Sequence, residues 1–304
     1  MPLADPIGSV NSKKIFKFAG HETFVFRYGW LKKAIDGLQE DQYLFTNDDA
    51  IIKLGVGKNM VQSIRFWALA TQIIHENRKG HKVSKIGEQL FVEWDPYLED
   101  PASLWLIHWL LATNPSRAAV WYLSFNKYFR PDFTKSQLLE FLLEQTSRHN
   151  MKIKSTTISR DIDCFIRTYL PSRNEKLHIE DTFSCPLNEL VLINQLRDGD
   201  SFQFNIGPKN SLPSQIAGYA LLDYISKAQN GRKTISVSDC LYSEGSPGQV
   251  FKLDENSLVE YIEELYKFTD GCIELNDTAG LKQIYSRKEY NPDVLLRSYY
   301  ALRS

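Results

Sequence analysis

The spacing of apolar residues predicts that most of this chain is helical. In several segments an apolar residue recurs every three or four positions, which places apolar side chains on one face of a helix. These segments are residues 28–38, 58–75, 134–148, 156–170, 214–227 and 253–269. Shorter segments predict strands at residues 16–26, 201–206, 272–276 and 283–286. We therefore predict a mainly α fold of the α+β class.

Two of the predicted helices are joined by a short glycine turn. The first should begin near residue 46 and carry Asp48 and Asp49 in its first turn, where acidic residues favour the helix dipole. Gly55 is placed as its C-cap, and the second helix follows from Lys58. Two helices with so short a link predict a helix-turn-helix, with residues 79–91 as its wing or as a further helix.

This region also concentrates positive charge on a nearly neutral chain. The formal net charge of the 304 residues is -1, but the segment from Lys53 to Lys85 holds seven lysines and arginines and one glutamate. Basic side chains around a glycine turn and a following helix are what binding to a phosphate backbone requires. The predicted DNA-binding residues here are Lys53, Lys58, Asn59, Gln62, Ser63, Arg65, Lys79 and Lys82. The alternative is an ordinary solvated helix face.

A second basic region, residues 148–176, contains seven basic and three acidic residues. It includes the connector HNMKIKS between two predicted helices, so this pair is a second helix-turn-helix candidate with a longer link. Lys152, Lys154 and Arg160 are the predicted DNA contacts of this region.

Changes in composition predict several domains. The strands near residue 280 flank a glycine turn and resemble a winged-helix hairpin, so the C-terminal part holds a candidate second winged helix. The predicted division is a flexible leader (1–14), a helix-turn-helix or winged-helix DNA-binding domain (15–100), a helical domain (101–175) and an α+β C-terminal domain (176–304).

Composition indicates a soluble, cytoplasmic protein. Hydrophobic residues at 43% and charged residues at 24% are ordinary for a globular domain. The N-terminus lacks the apolar core of a signal peptide, and the longest apolar run, residues 104–112, is too short to span a bilayer. The four cysteines lie far apart without a CxxC pair, so free thiols in a reducing compartment are expected.

His21 and Glu22 are the most prominent polar pair among apolar neighbours. Histidine beside glutamate suits general-base catalysis or metal binding. A zinc-protease helix would need a second histidine where Val25 stands, which excludes that class. The other interpretation is a structural pair bonded to the backbone or to Arg27.

Asp48 and Asp49 form a second acidic candidate beside the basic region. Two carboxylates can hold a divalent metal for phosphodiester cleavage, although helix capping explains the same residues. The glycines before Lys58 do not form a nucleotide-binding loop, because the first glycine and the final hydroxyl residue of that motif are missing. The metal ligands, if any, remain unassigned by the sequence.

Motifs of uncommon residues lie within the first 70 positions. They are His21-Glu22-Thr23-Phe24, Arg27, Trp30-Leu31-Lys32, the run from Leu54 to Val61, and Ile64-Arg65-Phe66-Trp67. Together they resemble the SspB-type family of bacterial DNA phosphorothioation proteins. The chain length and the later segment TFSCPLNEL agree with this family, so the similarity is expected over most of the chain.

The resemblance implies a component of a phage-defence system that replaces a non-bridging phosphate oxygen of DNA with sulfur. In that role the protein binds double-stranded DNA and nicks one strand. The implied partners are a cysteine desulfurase, an ATPase and a reductase-like protein, with a homodimer as one candidate assembly and no membrane. His21, Glu22, Asp48 and Asp49 become the candidate catalytic residues. A divalent cation such as Mg²⁺ would serve nicking; otherwise no cofactor is expected.

A non-enzymatic protein is the main alternative. A winged-helix regulator or adapter would need the basic surface but no catalytic residues, and the acidic helix predicted at 253–269 would suit a protein partner. A nucleotide-using enzyme is a weaker third hypothesis, because the phosphate-binding loop is missing.

Overall fold

The computed structural model describes residues 15–78, 80–171, 185–228, 234–278 and 280–303. The leader predicted at residues 1–14 and the predicted DNA contact Lys79 lie outside the described residues. Residues 172–184, with the end of the second basic region, also lie outside them.

Short helices make up most of the described chain. They are α1 (Trp30–Glu40), α2 (Ala50–Leu54), α3 (Lys58–Ala70), α4 (Lys85–Glu88), α5 (Pro101–Ala112), α6 (Ala119–Asn126), α7 (Lys135–Arg148), α8 (Ser155–Tyr169), α9 (Ser214–Ala228), α10 (Val237–Tyr242), α11 (Pro247–Phe251), α12 (Glu255–Phe268) and α13 (Asp293–Ala301), with a π-helical segment (Gln89–Trp94) and a 3-10 helix (Pro186–Leu190). The strands are β1 (Ile74–Glu76), β2 (His81–Val83), β3 (Asp132–Thr134), β4 (Ile193–Gln195), β5 (Ser201–Phe204), β6 (Thr234–Ser236), β7 (Ile273–Thr278) and β8 (Leu281–Ser286).

The strands form small antiparallel sheets that follow a repeated order of elements. β1 and β2 make a hairpin directly after α2 and α3. The second sheet has the strand order β3-β5-β4, and α7 and α8 lie between its first strand and its hairpin. The third sheet has the order β6-β8-β7, with α10 to α12 in the same place. Helices followed by a hairpin therefore occur three times along the described chain.

Local signals in the sequence explain where several helices begin and end. Thr134 caps α7 through a capping box, because its side chain accepts from the amide of Gln137 and the Gln137 side chain accepts from the amide of Thr134. Asp254 caps α12 by accepting from the amide of Ser257. Gly55 ends α2 with a φ of 62°, a left-handed conformation that glycine adopts without strain, so its predicted C-cap role is confirmed.

The centre of the core is α5, whose residues after Pro101 are all buried. A helix that is apolar on every side must be enclosed by other elements. His108 lies within it, fully buried, with Nδ1 2.8 Å from the Tyr169 hydroxyl and Nε2 2.9 Å from the Val250 carbonyl oxygen. Burial lowers the pKa of His108 to about 3, so this ring is neutral at physiological pH. It joins α5 to α8 and α11 and has a structural role.

The strands predicted within residues 16–26 are wrong. This segment contains no strand, because Ala19, Gly20, Glu22 and Thr23 all have positive φ angles between 47° and 102°. Positive φ takes the backbone out of the extended region that a strand needs. The segment is a loop held by side chains of distant helices.

Two predicted helix boundaries also need correction. The helix expected from residue 46 begins only at α2, so Asp48 and Asp49 precede it rather than lie in its first turn. The Asp41 carboxylate holds the preceding turn instead, accepting from the Tyr43 amide and the Asn47 side chain. The helix expected to reach residue 75 ends with α3, because Gln72 adopts a φ of 58° and β1 follows.

The predicted α+β class is confirmed: helices dominate and the sheets are small. Within the described residues, no helix is both long and apolar enough to cross a membrane. The predicted domain boundaries and the identity of any unit as a winged helix stay predictions.

Candidate nucleic-acid interface

The centre of the candidate interface is the loop formed by residues 19–24, which lies between α3 and α8. From α3, the Ser63 hydroxyl donates to the His21 carbonyl oxygen (3.1 Å) and the Trp67 indole donates to the Phe24 carbonyl oxygen (3.1 Å). From α8, the Arg167 guanidinium donates to the Thr23 carbonyl oxygen (2.6 Å). Because both helices bond to the same short loop, their relative position is set by it.

His21 and Asp161 form the buried contact at the centre of this loop. Nε2 of His21 is 2.9 Å from Oδ1 of Asp161, and Oδ2 of Asp161 accepts from the Ala19 amide at 2.7 Å. Nδ1 of His21 accepts from the Thr23 amide at 3.1 Å. His21 is only 2% exposed, and both of its ring nitrogens have partners, so its geometry is that of a structural residue.

The N-terminal half of α3 presents polar side chains to solvent. Lys58, Asn59 and Gln62 are exposed, as the sequence predicts for a DNA-binding face. Ser63 is fully buried, with its hydroxyl engaged by the loop, so it does not reach the surface. Arg65 is half-buried and its guanidinium lies 3.5 Å from Glu76.

The remaining basic candidates of the first region, Lys53 and Lys82, differ in their contacts with acidic side chains. Lys53 is held by two carboxylates, with its Nζ 2.9 Å from both Asp41 and Asp49. The hydrogen bond that Lys53 donates to Asp41 is the main reason that the pKa of Lys53 is raised. Lys82 is exposed on β2, opposite His75. Two nearby carboxylates offset the charge of Lys53, which makes it a weaker DNA contact than the sequence suggests.

The second group of predicted contacts lies at the start of α8. Lys152, Lys154 and Arg160 are exposed, and within the described part of the chain none of them forms an ion pair with an acidic side chain. Asp161 and Asp163 on the same helix point elsewhere, since Asp161 is buried against the loop and Asp163 bonds to Lys135. The exposed start of α8 is therefore basic.

The candidate catalytic acids do not gather into one site. Glu22 and Asp48 are exposed, and Asp49 pairs with Lys53. Among the described residues, no three histidine, cysteine or acidic side chains come together as metal ligands. No magnesium site can therefore be assigned to His21, Glu22, Asp48 and Asp49 as a set.

A basic cleft that the sequence does not predict lies beside the loop. It has a volume of about 450 Å³ and is lined by Lys17, Gln62, Arg65 and Arg117 among others. The backbone brings its two edges together, since the Ala119 amide donates to the Lys17 carbonyl oxygen at 3.2 Å. About a hundred positions separate these residues, so neither periodicity nor a motif could have joined them.

A protein family and two solved structures match this chain. The family described as "Protein of unknown function (DUF4007)" matches residues 18–300. Two solved structures, described as "SspB crystal structure" and "Magnesium ion-bound SspB crystal structure", each match with a TM-score of 0.84 and 30% sequence identity. Each match covers 94% of this chain and 88% of that chain. No curated protein matches significantly.

The family match spans most of the chain, and the structural matches extend over nearly all of it. The predicted resemblance is therefore confirmed, and the chain belongs to the DUF4007 family as an SspB-type protein.

Proposed function

We propose that this protein is the cytoplasmic DNA-binding component of a bacterial DNA phosphorothioate modification system used in antiphage defence. The observation that carries the proposal is the exposed polar surface on α3 and α8, two helices fixed by one loop. Lys58, Asn59 and Gln62 lie on α3, Lys154 is the N-cap of α8, and Arg160 lies on α8. A cysteine desulfurase, an ATPase and a reductase-like protein would act with it on the same DNA.

The order of elements supports this role for both helices. In a winged helix, two helices precede a hairpin, and the second helix enters the major groove of DNA. α3 has that position before the β1–β2 hairpin, and α8 has it before the β4–β5 hairpin. We therefore assign α3 and α8 as recognition helices of two winged-helix units.

The exposed residue types suit different parts of DNA. Lysine and arginine neutralise phosphates and release counterions, which supplies most of the sequence-independent affinity. Asparagine and glutamine can form paired hydrogen bonds with adenine edges, so Asn59 and Gln62 are the candidates for sequence readout. Lys154 and Arg160 would mainly position the duplex.

A DNA-binding titration of the variant Lys154→Ala/Arg160→Ala tests the proposal. Both side chains are exposed, so the fold should persist while affinity for duplex DNA falls by about 10-fold or more at 0.1 M salt. The plot of log affinity against log salt should become shallower by about 1.8, because two phosphate contacts are lost. Lys227→Ala is the matched control, since that lysine pairs with Asp223 on α9. Unchanged affinity and slope in the double variant would remove α8 from the interface.

Strand nicking is the second element of the proposal. It is supported by the family resemblance and by the magnesium ion in one of the matching SspB structures. Glu22 is the candidate acid nearest to both helices, because it lies in the loop between them. Asp48 and Asp49 are the other acidic candidates, and His21 would act by holding the loop in shape.

A plasmid assay distinguishes nicking from simple binding. Purified protein with Mg²⁺ should convert supercoiled plasmid to open circles, and Glu22→Ala should reduce that rate without weakening DNA binding. The combined variant Asp48→Ala/Asp49→Ala tests the other acids in the same way. Binding without nicking by the intact chain would favour the alternative, an adapter or regulator that uses the exposed acidic face of α12 for a protein partner.

A further inference from the structure

The cleft beside the loop combines positive charge with an acidic neighbour that pairs with both of its arginines. Lys17, Arg65 and Arg117 line it, together with Gln62 and the ring of Phe66. The acidic neighbour is Glu76 on β1, whose Oε1 is 3.5 Å from the Arg65 guanidinium and whose other oxygen bonds to Arg117. Among the described residues that line the cleft, three are cations and none is acidic, so its wall is positively charged.

Arg65 has a donor that the protein leaves unused. Its Nε is buried and has no hydrogen-bond partner within the described residues. A buried donor without a partner is destabilising. A small shift of the Arg65 side chain toward an oxygen ligand in the cleft would give Nε an acceptor and remove that penalty. Arginine is also the side chain whose planar fork matches a phosphate group with two parallel hydrogen bonds.

From these observations we propose that the cleft between Lys17, Arg65 and Arg117 is a binding site for a phosphate-type oxyanion. Glu76 acts as an internal anion that holds the two arginines in place until the ligand arrives. Although burial alone would raise the pKa of Glu76, Arg117 and Arg65 keep that pKa below its usual value. The carboxylate is therefore ionised at neutral pH and competes with the ligand.

The site deepens the proposed DNA-binding function, on which its choice of ligand rests. Gln62 belongs both to the exposed face of α3 and to the wall of the cleft. A phosphate of DNA docked on α3 would therefore lie next to Arg65 and Arg117. A free phosphate-bearing small molecule has the same chemistry and is the other source of the ligand.

Titration calorimetry with inorganic phosphate, run at low salt on the full chain, tests the site. Arg117→Ala should weaken phosphate binding by about 10-fold or more, as expected for a lost charge-assisted hydrogen bond. Glu76→Gln should tighten it several-fold, because the competing charge is removed while the side-chain shape is kept. This gain cannot arise from misfolding. The matched control is Arg287→Ala. Arg287 directly follows β8, and the change breaks a similar surface pair with Glu274 on β7.

Duplex DNA as a competitor identifies the source of the ligand. Displacement of phosphate by DNA, with weaker DNA binding in Arg117→Ala, supports a DNA phosphate. Phosphate binding that DNA does not displace supports a small-molecule ligand, and it would hold even if the chain failed to bind DNA. Phosphate affinity that is undetectable, or that is unchanged by both Arg117→Ala and Glu76→Gln, would overturn the proposal.

Discussion

The segment from β3 to β5 (the second unit) and the segment from β6 to β8 (the third unit) have the same order of elements, but their exposed helix surfaces carry opposite charge. Each begins with a strand, continues with helices and ends with a hairpin whose last strand lies in the centre of the sheet. The last α-helix before the hairpin is α8 in the second unit and α12 in the third unit. Lys152 and Lys154 are exposed just before α8 and Arg160 is exposed on it, whereas α12 exposes Glu260, Glu263 and Glu264.

This difference teaches that one topology can carry two oppositely charged surfaces. The backbone of a helix-and-hairpin unit presents its last helix to solvent, but the side chains decide what that helix attracts. A basic face attracts phosphate, and an acidic face repels it. Under the proposed function, the second unit would face DNA and α12 would face protein or solvent.

The buried faces of the two helices differ as well. α8 buries a carboxylate, Asp161, which bonds to the loop at His21 and Ala19. The residues that α12 buries are Ser257, Leu258, Ile262 and Leu265. The second unit is thus tied to the N-terminal loop by a buried carboxylate, whereas α12 buries no charged side chain.

The largest effect is expected for Asp161→Ala. The change removes the acceptor of the buried His21 ring and of the partly buried Ala19 amide, and should lower the free energy of unfolding by about 3 kcal/mol. Urea denaturation measures it. Asp163→Ala is the matched control, because that carboxylate forms an exposed pair with Lys135 worth about 1 kcal/mol or less. Equal losses of unfolding free energy in the two variants would show that the buried contact of Asp161 stabilises the fold no more than the exposed pair of Asp163 does.

A smaller, pH-dependent effect is expected for Lys252→Met. Lys252 lies between α11 and α12. Its Nζ donates to the carbonyl oxygen of Phe125 on α6 (2.7 Å) and lies 4.5 Å from the centre of the Phe204 ring on β5 of the second unit. Complete burial lowers its pKa to about 7. In the unfolded chain the lysine pKa is about 10.4, so between pH 7 and 10 the unfolded state binds more protons and stability rises with pH.

Urea denaturation at several pH values measures the contribution of Lys252. The slope of stability against pH should fall in Lys252→Met by up to about 1.4 kcal/mol per pH unit. Lys209, whose pKa burial lowers to about 8, remains in both proteins and supplies the residual slope. If the curves of stability against pH are parallel for the two proteins, Lys252 is not a buried lysine with a lowered pKa.

The smallest effect is expected for the triple variant Glu260→Lys, Glu263→Lys and Glu264→Lys. If α12 faces away from DNA, reversing its charge should change duplex affinity only through the long-range field, by about 3-fold or less at physiological salt. Titrations of duplex DNA with the triple variant and with Lys154→Ala/Arg160→Ala, run side by side, compare the two changes in affinity. If the triple variant raises duplex affinity by as much as Lys154→Ala/Arg160→Ala lowers it, then net charge, and not the position of α8, controls binding.

Predictions from the sequence were most accurate where the signal is local. The start of α7 follows from Thr134 and Gln137, three positions apart, and the end of α2 follows from Gly55. The strands predicted within residues 16–26 were wrong, because the apolar pattern of that segment serves packing against α3 and α8. The sequence alone could not place Asp161 opposite His21, since 140 positions separate them.

The candidate interface was predicted in part for the same reason. The exposure of Lys58, Asn59 and Gln62 agrees with the helical pattern around them. Burial of Ser63 and pairing of Lys53 do not follow from that pattern, because each depends on a partner outside the helix. The basic cleft was missed, since Lys17 and Arg117 gain their common role only after folding.

By itself, the sequence determined the α+β class, most of the helices, the two basic regions, the acidic helix and the SspB-type resemblance. Periodicity, caps and local charge are written within a few neighbouring positions, so they survive without a fold. Only the tertiary structure decided which charges are free, which are neutralised, and which residues share a loop or a cleft. Those properties depend on burial and on distances between side chains far apart in the chain, and packing alone sets them.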